Sequence, residues 1–298
     1  MSGPVTLAVD IGGTTVKSAL VDEAGAVVAR HATPTGRGEA ARDAVRRSVE
    51  QLAARAQDLG LALSGVGVVS PGVIDRDRGV VEYASNLDWA HVSLRNVVAA
   101  VVDVPVAVGH DAGAAGDAEW QLGAARGCRD FVHASVGTGI AASLVVGGRR
   151  IEGRSGGAGE LGHTPVRPGG ERCPCGQRGC LEVYASGGGV SRRYLALSGR
   201  SATAREVVER VDHDAVARRV WDDAVACWVT ALAACTLLLE PELVVLGGGL
   251  AEAGEDLLGP VRAGLAEALT WREPPEVRAS ELGPDAALLG AALLARRA

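Results

Sequence analysis

The sequence predicts an α/β protein made of two similar domains, and three observations carry that reading. Strand-like runs rich in Val, Ala and Leu alternate with longer helical patterns along the 298 residues. A strand, a Gly-Gly turn and a second strand fill residues 5–22, and a strand, a Gly-Thr-Gly turn and a second strand fill residues 131–146, a faint internal duplication. The hydrophobic fraction is 47% while aromatics are only 3%, so the cores must be built from small aliphatic side chains.

The elements follow in order. Strands VTLAVDIG, TVKSALVD and AVVARHAT are separated by Gly12-Gly13 and by Glu23-Ala24-Gly25. An Ala/Arg-rich helical pattern runs from about Glu39 to Leu59 and stops at Gly60. The apolar strand GVGVVS is broken by Pro71-Gly72. In the second half FVHASVGTGI enters its turn, IAASLVVGG returns, and RRIEG begins a third strand. A helix around Trp221–Leu239, the strand ELVVLGGGL, another helix, the strand EVRAS and an apolar helix ALLGAALLARRA follow. The boundary between halves is expected near residues 109–118. Two domains with one glycine-rich turn each suggest a cleft that grips a ligand from both sides.

Charge and cysteine usage narrow the function classes. A formal charge of −6 argues against a general nucleic-acid binder, which carries a basic stripe. Lys17 is the only lysine. MSGPVTLAVDIGG lacks a basic segment followed by an apolar core, so no signal peptide is expected. The uncharged run Ala224 to Leu239 is shorter than the roughly 20 residues a bilayer needs and reads as a buried helix. Cys128, Cys227 and Cys235 sit in apolar surroundings and read as buried small hydrophobes. A reduced, cytoplasmic protein with no membrane or nucleic-acid partner is expected.

The segment GELGHTPVRPGGERCPCGQRGCLE, residues 159–182, concentrates chemistry. His163, Cys173, Cys175 and Cys180 make a soft donor set suited to tetrahedral zinc, and four such ligands make a closed, structural site. Glu160 and Glu182 flank it, so the segment reads as a zinc-braced wall of a binding pocket.

Asp10-Ile11-Gly12-Gly13-Thr14-Thr15 lies at the tip of the first hairpin. Glycines there let backbone N–H groups approach an anion, threonine hydroxyls add donors, and Asp10 can hold Mg²⁺ through water. An ordinary hairpin turn is the competing reading. Gly137-Thr138-Gly139 repeats the chemistry, and Gly247-Gly248-Gly249 follows the strand LVVL where a nucleotide can lie close to backbone. Lys17 is placed to reach a phosphate or to sit solvated. Neither a Walker A loop nor a Rossmann fingerprint is present.

Taken together, the chain resembles the ROK family of bacterial sugar kinases and sugar-responsive repressors over essentially its whole length. The resemblance rests on DIGGTT at 10–15, SPGVID at 70–75, HDAGAAGDAEW at 110–120, VGTGI at 136–140, the pattern GHx9CxCx4CxE in 159–182, and LGGGL at 246–250. It implies a duplicated actin-like, ribonuclease-H-like ATPase fold of two domains around a cleft. These would be 1–113 and 114–298, with a helix at about 286–298 packing back on the first. It implies ATP with Mg²⁺ as donor, phosphorylation of a hexose at its 6-hydroxyl, and a homodimer. Asp111 is then the catalytic base, and Gly72, Asn86, His110, Glu160, His163 and Glu182 line the sugar site. Asp10, Gly12, Gly13, Thr14, Thr15, Lys17, Gly137, Thr138, Gly139, Gly248 and Gly249 would hold the nucleotide. Asp111 also reads as a capping residue at a helix start.

Family glucokinases carry Asn-Asp-Ala-Asn where this chain has His110-Asp111-Ala112-Gly113. Neutral imidazole offers one donor and one acceptor on opposite edges and cannot copy a carboxamide. The substrate is therefore expected to be glucose or a glucose-like amino sugar such as kanosamine. The alternatives are a sugar sensor without kinase activity and a repressor. About four residues precede Val5, which leaves no room for a DNA-reading domain there.

Overall fold

The structure, a computed structural model, describes residues 3–154 and 156–297. The chain forms two compact units: one reaches to Ala118 and takes up the chain again from Asp285, and the other is Glu119–Pro284.

Unit 1 opens with β1 (Val5–Ile11), β2 (Thr15–Asp22), β3 (Val27–Pro34), α1 (Glu39–Asp58) and β4 (Leu63–Ser70). A small antiparallel sheet of β5 (Val73–Asp75), β6 (Val80–Ala84) and β7 (Trp89–Ser93) follows, then α2 (Leu94–Ala99), β8 (Val106–His110) and α3 (Asp111–Leu122). The main sheet runs β3-β2-β1-β4-β8, antiparallel across the first three strands and parallel thereafter. Strand side chains alternate between faces. Leu7, Val9 and Ile11 therefore join the buried face of α1 (Ala41, Val45, Val49, Leu52), while Ala8 points to the other side.

Unit 2 repeats the order. After β9 (Phe131–Val136), β10 (Ile140–Val146) and β11 (Arg149–Ile151) come α4 (Leu181–Ala185), α5 (Gly187–Ser198), α6 (Ala204–Glu209) and α7 (Ala215–Leu239). The strand β12 (Leu243–Gly247), α8 (Glu255–Ala268) and β13 (Glu276–Ala279) complete it. Its sheet runs β11-β10-β9-β12-β13. The duplication is thus one of topology: each unit has a three-strand meander whose first hairpin carries the glycine turn, followed by two parallel strands.

Helix α7 starts at Ala215, ahead of the apolar run, because Asp214 caps it by accepting from the N–H groups of Val216 and Ala217 at 2.8 and 3.3 Å. At 25 residues it is long and apolar enough to cross a membrane. It is instead a core helix of unit 2, with Trp221, Cys227, Trp228 and Leu232 buried and the Trp228 indole N–H donating to Ala185 O. Cys128 and Cys235 are only half-buried, so just Cys227 of the three lone cysteines is a full core residue.

The last helix, α9 (Ala286–Ala295), belongs to unit 1 and packs on β1, β4 and β8. Small residues allow this close approach. A Cβ on Gly67 of β4 would stand 1.8 Å from Ala291 O, and one on Gly290 would stand 2.0 Å from Ala114 O.

Candidate active site

In unit 1 the strand β1 delivers Asp10 and β8 delivers His110 to neighbouring positions at one end of the sheet. Asp10 is the register partner of Lys17, and Ser70 at the end of β4 is the partner of His110. Burial pushes the Asp10 carboxyl up to about 7; the Asp111 carboxylate adds to the rise and Lys17 opposes it. Asp111 opens α3. Its Oδ1 accepts from the Ala112 N–H at 2.6 Å and lies 3.3 Å from His110 Nδ1.

The first glycine turn is tight: the Gly12 N–H donates to Thr15 O at 3.0 Å, and a Cβ on Gly12 would fall 2.9 Å from that oxygen. Gly13 and Thr14 are exposed at its tip. Thr35, buried at the end of β3, braces it twice, its hydroxyl donating to Gly12 O at 2.7 Å and its N–H to Thr14 O at 3.0 Å. Nothing in the sequence singles out Thr35, since a threonine closing a strand is commonplace. Asn86 joins this turn, because a Cβ on Gly13 would stand 3.5 Å from Asn86 Nδ2. Gly72 has φ +101°, and a Cβ there would strike Tyr83 O at 2.2 Å, so glycine is required.

In unit 2 three segments converge around the start of β10. The Gly137 N–H donates to Gly139 O at 2.9 Å, and the Ile140 N–H donates to Glu182 Oε2 at 3.0 Å. The strip that carries Glu160 and His163 lies against the same strand. The Ala142 N–H donates to Gly159 O at 2.7 Å, and a Cβ on Gly162 would fall 2.4 Å from Ile140 O. His163 Nε2 is 3.8 Å from Glu160 Oε2.

The other edge of that imidazole faces the cysteines. His163 Nδ1 lies 3.8 Å from Cys173 Sγ, Cys175 Sγ lies 3.8 Å from Cys180 Sγ, and all four donor atoms fall within 4.8 Å of one another. Zinc–sulfur bonds of about 2.3 Å at tetrahedral angles put sulfurs about 3.8 Å apart, so the donor set and its spacing fit that ion. A tight turn with the Gly176 N–H donating to Cys173 O (3.0 Å) shapes the knot, and the Leu181 N–H donating to Thr164 O (2.9 Å) closes it. Beside it, Arg193 bonds both Glu171 (2.8 Å) and Asp223 (2.6 Å), while Arg167 and Arg193 each lie 4.9 Å from the Tyr184 ring centre.

Past the second turn opens a cavity of about 470 Å³, large enough for a nucleoside. Gly137, Thr138 and Gly249 line it, with Gly187 and Gly188 at the start of α5, Thr203 and Arg205. Gly139 and Gly248 do not; each is packed from the side, Gly139 by Glu182 and Gly248 (φ +83°) by Val136 O. The run Ser186-Gly187-Gly188-Gly189 escaped the sequence reading. A serine cap before glycines at a helix start is a recognisable anion-binding signal, and Ser186 Oγ indeed accepts from the Gly189 N–H at 2.9 Å.

One further buried group lies in β9. His133 is fully enclosed, and neither ring nitrogen has a hydrogen-bond partner among the described residues. Burial pulls its pKa down to about 4, against the opposing charge of Glu119. A histidine that must stay neutral when folded stabilises the protein fully above its ordinary pKa of about 6.5 and loses that contribution as pH falls toward 4. The melting temperature of the native protein should therefore drop between pH 7 and 5 more steeply than that of His133→Gln. Parallel curves for the two proteins would refute this.

Two sheets of one order, each opening on a glycine hairpin, define a duplicated actin-like ATPase fold, here bearing a Cys₃His knot. The chain belongs to the ROK family, whose family model matches residues 6–298. It is 35% identical over 314 residues to a glucokinase of Streptomyces coelicolor, covering 98% of each chain. It is 31% identical over 302 residues to a kanosamine kinase of Amycolatopsis mediterranei, covering 99% of this chain and 97% of that one. Among solved structures, a ROK family glucokinase from Streptomyces griseus in complex with glucose and AMPPNP superposes with a TM-score of 0.86 at 32% identity, covering 99% of this chain and 100% of that one.

Proposed function

We propose that this protein is an ATP-dependent sugar kinase that phosphorylates the 6-hydroxyl of a hexose, either glucose or a glucose-like amino sugar such as kanosamine. The observation that carries this reading is the arrangement about β10. A glycine-lined cavity of nucleoside size opens past the turn before it, and Glu160, His163 and Glu182 gather along its first residues. The glucokinase and kanosamine kinase relatives support the same reaction.

Phosphoryl transfer needs positioning and charge neutralisation more than covalent help. Asp111 accepts the proton of the attacking hydroxyl, and its hydrogen bond from the Ala112 N–H fixes the carboxylate. Glu160, His163 and Glu182 of unit 2, and Gly72, Asn86 and His110 of unit 1, are assigned to the hexose. The turns Gly12–Thr15 and Gly137–Gly139, with Lys17, Gly248 and Gly249, are assigned to the nucleotide, and Asp10 to the hydrated Mg²⁺ that accompanies ATP and offsets phosphate charge. Cys173, Cys175, Cys180 and His163, through Nδ1, would hold a zinc ion whose role would be structural, leaving the other edge of the imidazole available. A cytoplasmic homodimer completes the proposal.

The test is ADP release with a panel of hexoses. Turnover with glucose or kanosamine is expected, and no turnover with any hexose would overturn the assignment. His110→Asn replaces an imidazole by a carboxamide and is expected to shift the ratio of kcat/KM for glucose over kanosamine upward by up to about tenfold, the worth of one well-made hydrogen bond. An unchanged ratio removes His110 from the sugar site.

A further inference from the structure

We infer that Glu182 is a positioning residue for the nucleotide: its carboxylate holds the turn Gly137–Ile140 in shape, so the knot that carries Glu182 sets nucleotide affinity before any sugar binds. The inference rests on reading unit 2 as the ATP-binding unit.

The geometry is specific. Glu182 Oε2 accepts the Ile140 N–H at 3.0 Å. The same oxygen would stand 2.5 Å from a Cβ on Gly139, so the carboxylate fills the volume that a side chain on the turn would take. A few residues further on, the backbone grips the other end of the turn. The Gly187 N–H donates to Gly137 O at 2.9 Å, and a Cβ on Gly188 would lie 2.8 Å from Thr138 O. The turn is therefore clasped at both ends by one stretch of chain, residues 182–188, and Gly137, Thr138, Gly187 and Gly188 all line the cavity.

That stretch is anchored in the knot. Glu182 lies on the short helix α4, which begins directly after Cys180, and the Leu181 N–H donates to Thr164 O next to His163. A side-chain oxygen that accepts a backbone N–H pins a loop at that point. A turn already held in its bound shape gives up less freedom when ligand arrives. Without the carboxylate, ordering of the turn is deferred to the binding step and affinity falls.

The test is calorimetric titration of a non-hydrolysable ATP analogue into the full-length, sugar-free protein. Glu182→Ala is expected to weaken binding roughly ten- to hundredfold. Glu182→Asp, one methylene short of Ile140, should show the same loss, so the test does not hang on one variant's folding. Glu182→Gln retains a side-chain oxygen for the Ile140 N–H and should keep most of the affinity. Gly139→Ala should weaken binding in the native background and have little effect once Glu182→Ala has emptied the space, a non-additivity that a double-mutant cycle reads directly. Native protein that binds the analogue while Glu182→Ala and Glu182→Asp bind it equally well would overturn the inference, as would a Gly139→Ala penalty of the same size in both backgrounds. Native protein that binds no nucleotide would instead overturn the reading of unit 2 on which it rests.

Discussion

Asp111→Asn is expected to lower kcat by about 10²- to 10⁴-fold, the range a positioned general base contributes. The substitution is nearly isosteric, and asparagine caps a helix start about as well as aspartate. The carboxamide oxygen can still accept from the Ala112 N–H that now bonds Oδ1 at 2.6 Å, so α3 and the sheet behind it should be undisturbed. What would be lost is the carboxylate oxygen proposed to take the hydroxyl proton. KM for the hexose should change far less than kcat, because the hydroxyl is still met by a hydrogen-bonding group. A second effect follows from the neighbour: the Asp111 charge helps push Asp10 up, so its removal should lower the Asp10 carboxyl from about 7. Steady-state kinetics across pH would read both. A kcat within tenfold of native would remove Asp111 from the catalytic step.

The other large effect is expected from the knot. Purified protein should hold one zinc per chain by emission spectrometry, and Cys180→Ser should lose it. Cys180 is wholly enclosed, and its thiol lies 3.8 Å from that of Cys175. Serine oxygen is a poor substitute for thiolate toward this ion. Metal binding in such sites is coupled to folding, so loss of the ion should lower the melting temperature by roughly 10 °C or more. Hexose affinity should fall about a hundredfold or more, since His163 and both flanking glutamates are carried by the segment that the proposed ion would close. Chelation of native protein should give the same losses, reversed by zinc, whereas zinc should not rescue Cys180→Ser. A zinc-free protein that binds hexose normally would exclude the metal from the sugar site.

Much of this could be read from the chain, for identifiable reasons. The duplicated fold was legible because strand, glycine turn and strand recur with the same alternation at residues 5–22 and 131–146. The knot was legible because its four donors and their spacing lie in one short segment, where chemistry and sequence distance coincide. The sheet β5–β7 was not, because Pro71-Gly72 reads as a break and the strands after it mix polar and apolar residues without clean alternation. The cavity was only partly legible: Gly137 and Gly249 announce themselves, but Thr203 and Arg205 reach it from a helix start far along the chain. Nothing in FVHASVGTGI marks His133 as enclosed; that follows from the packing around β9.

The seat of α9 on β1, β4 and β8 has a consequence for how the protein is made. Unit 1 begins at the front of the chain, yet the face of its sheet turned away from α1 does not receive α9 until Ala286–Ala295 have been synthesised. All of Glu119–Pro284 leaves the ribosome before then. Domains ordinarily fold in the order they emerge. Here the unit started first is finished last, and the face bearing Ala8, Ala19, Gly67 and Val69 lacks its α9 cover while the whole of the other unit is translated.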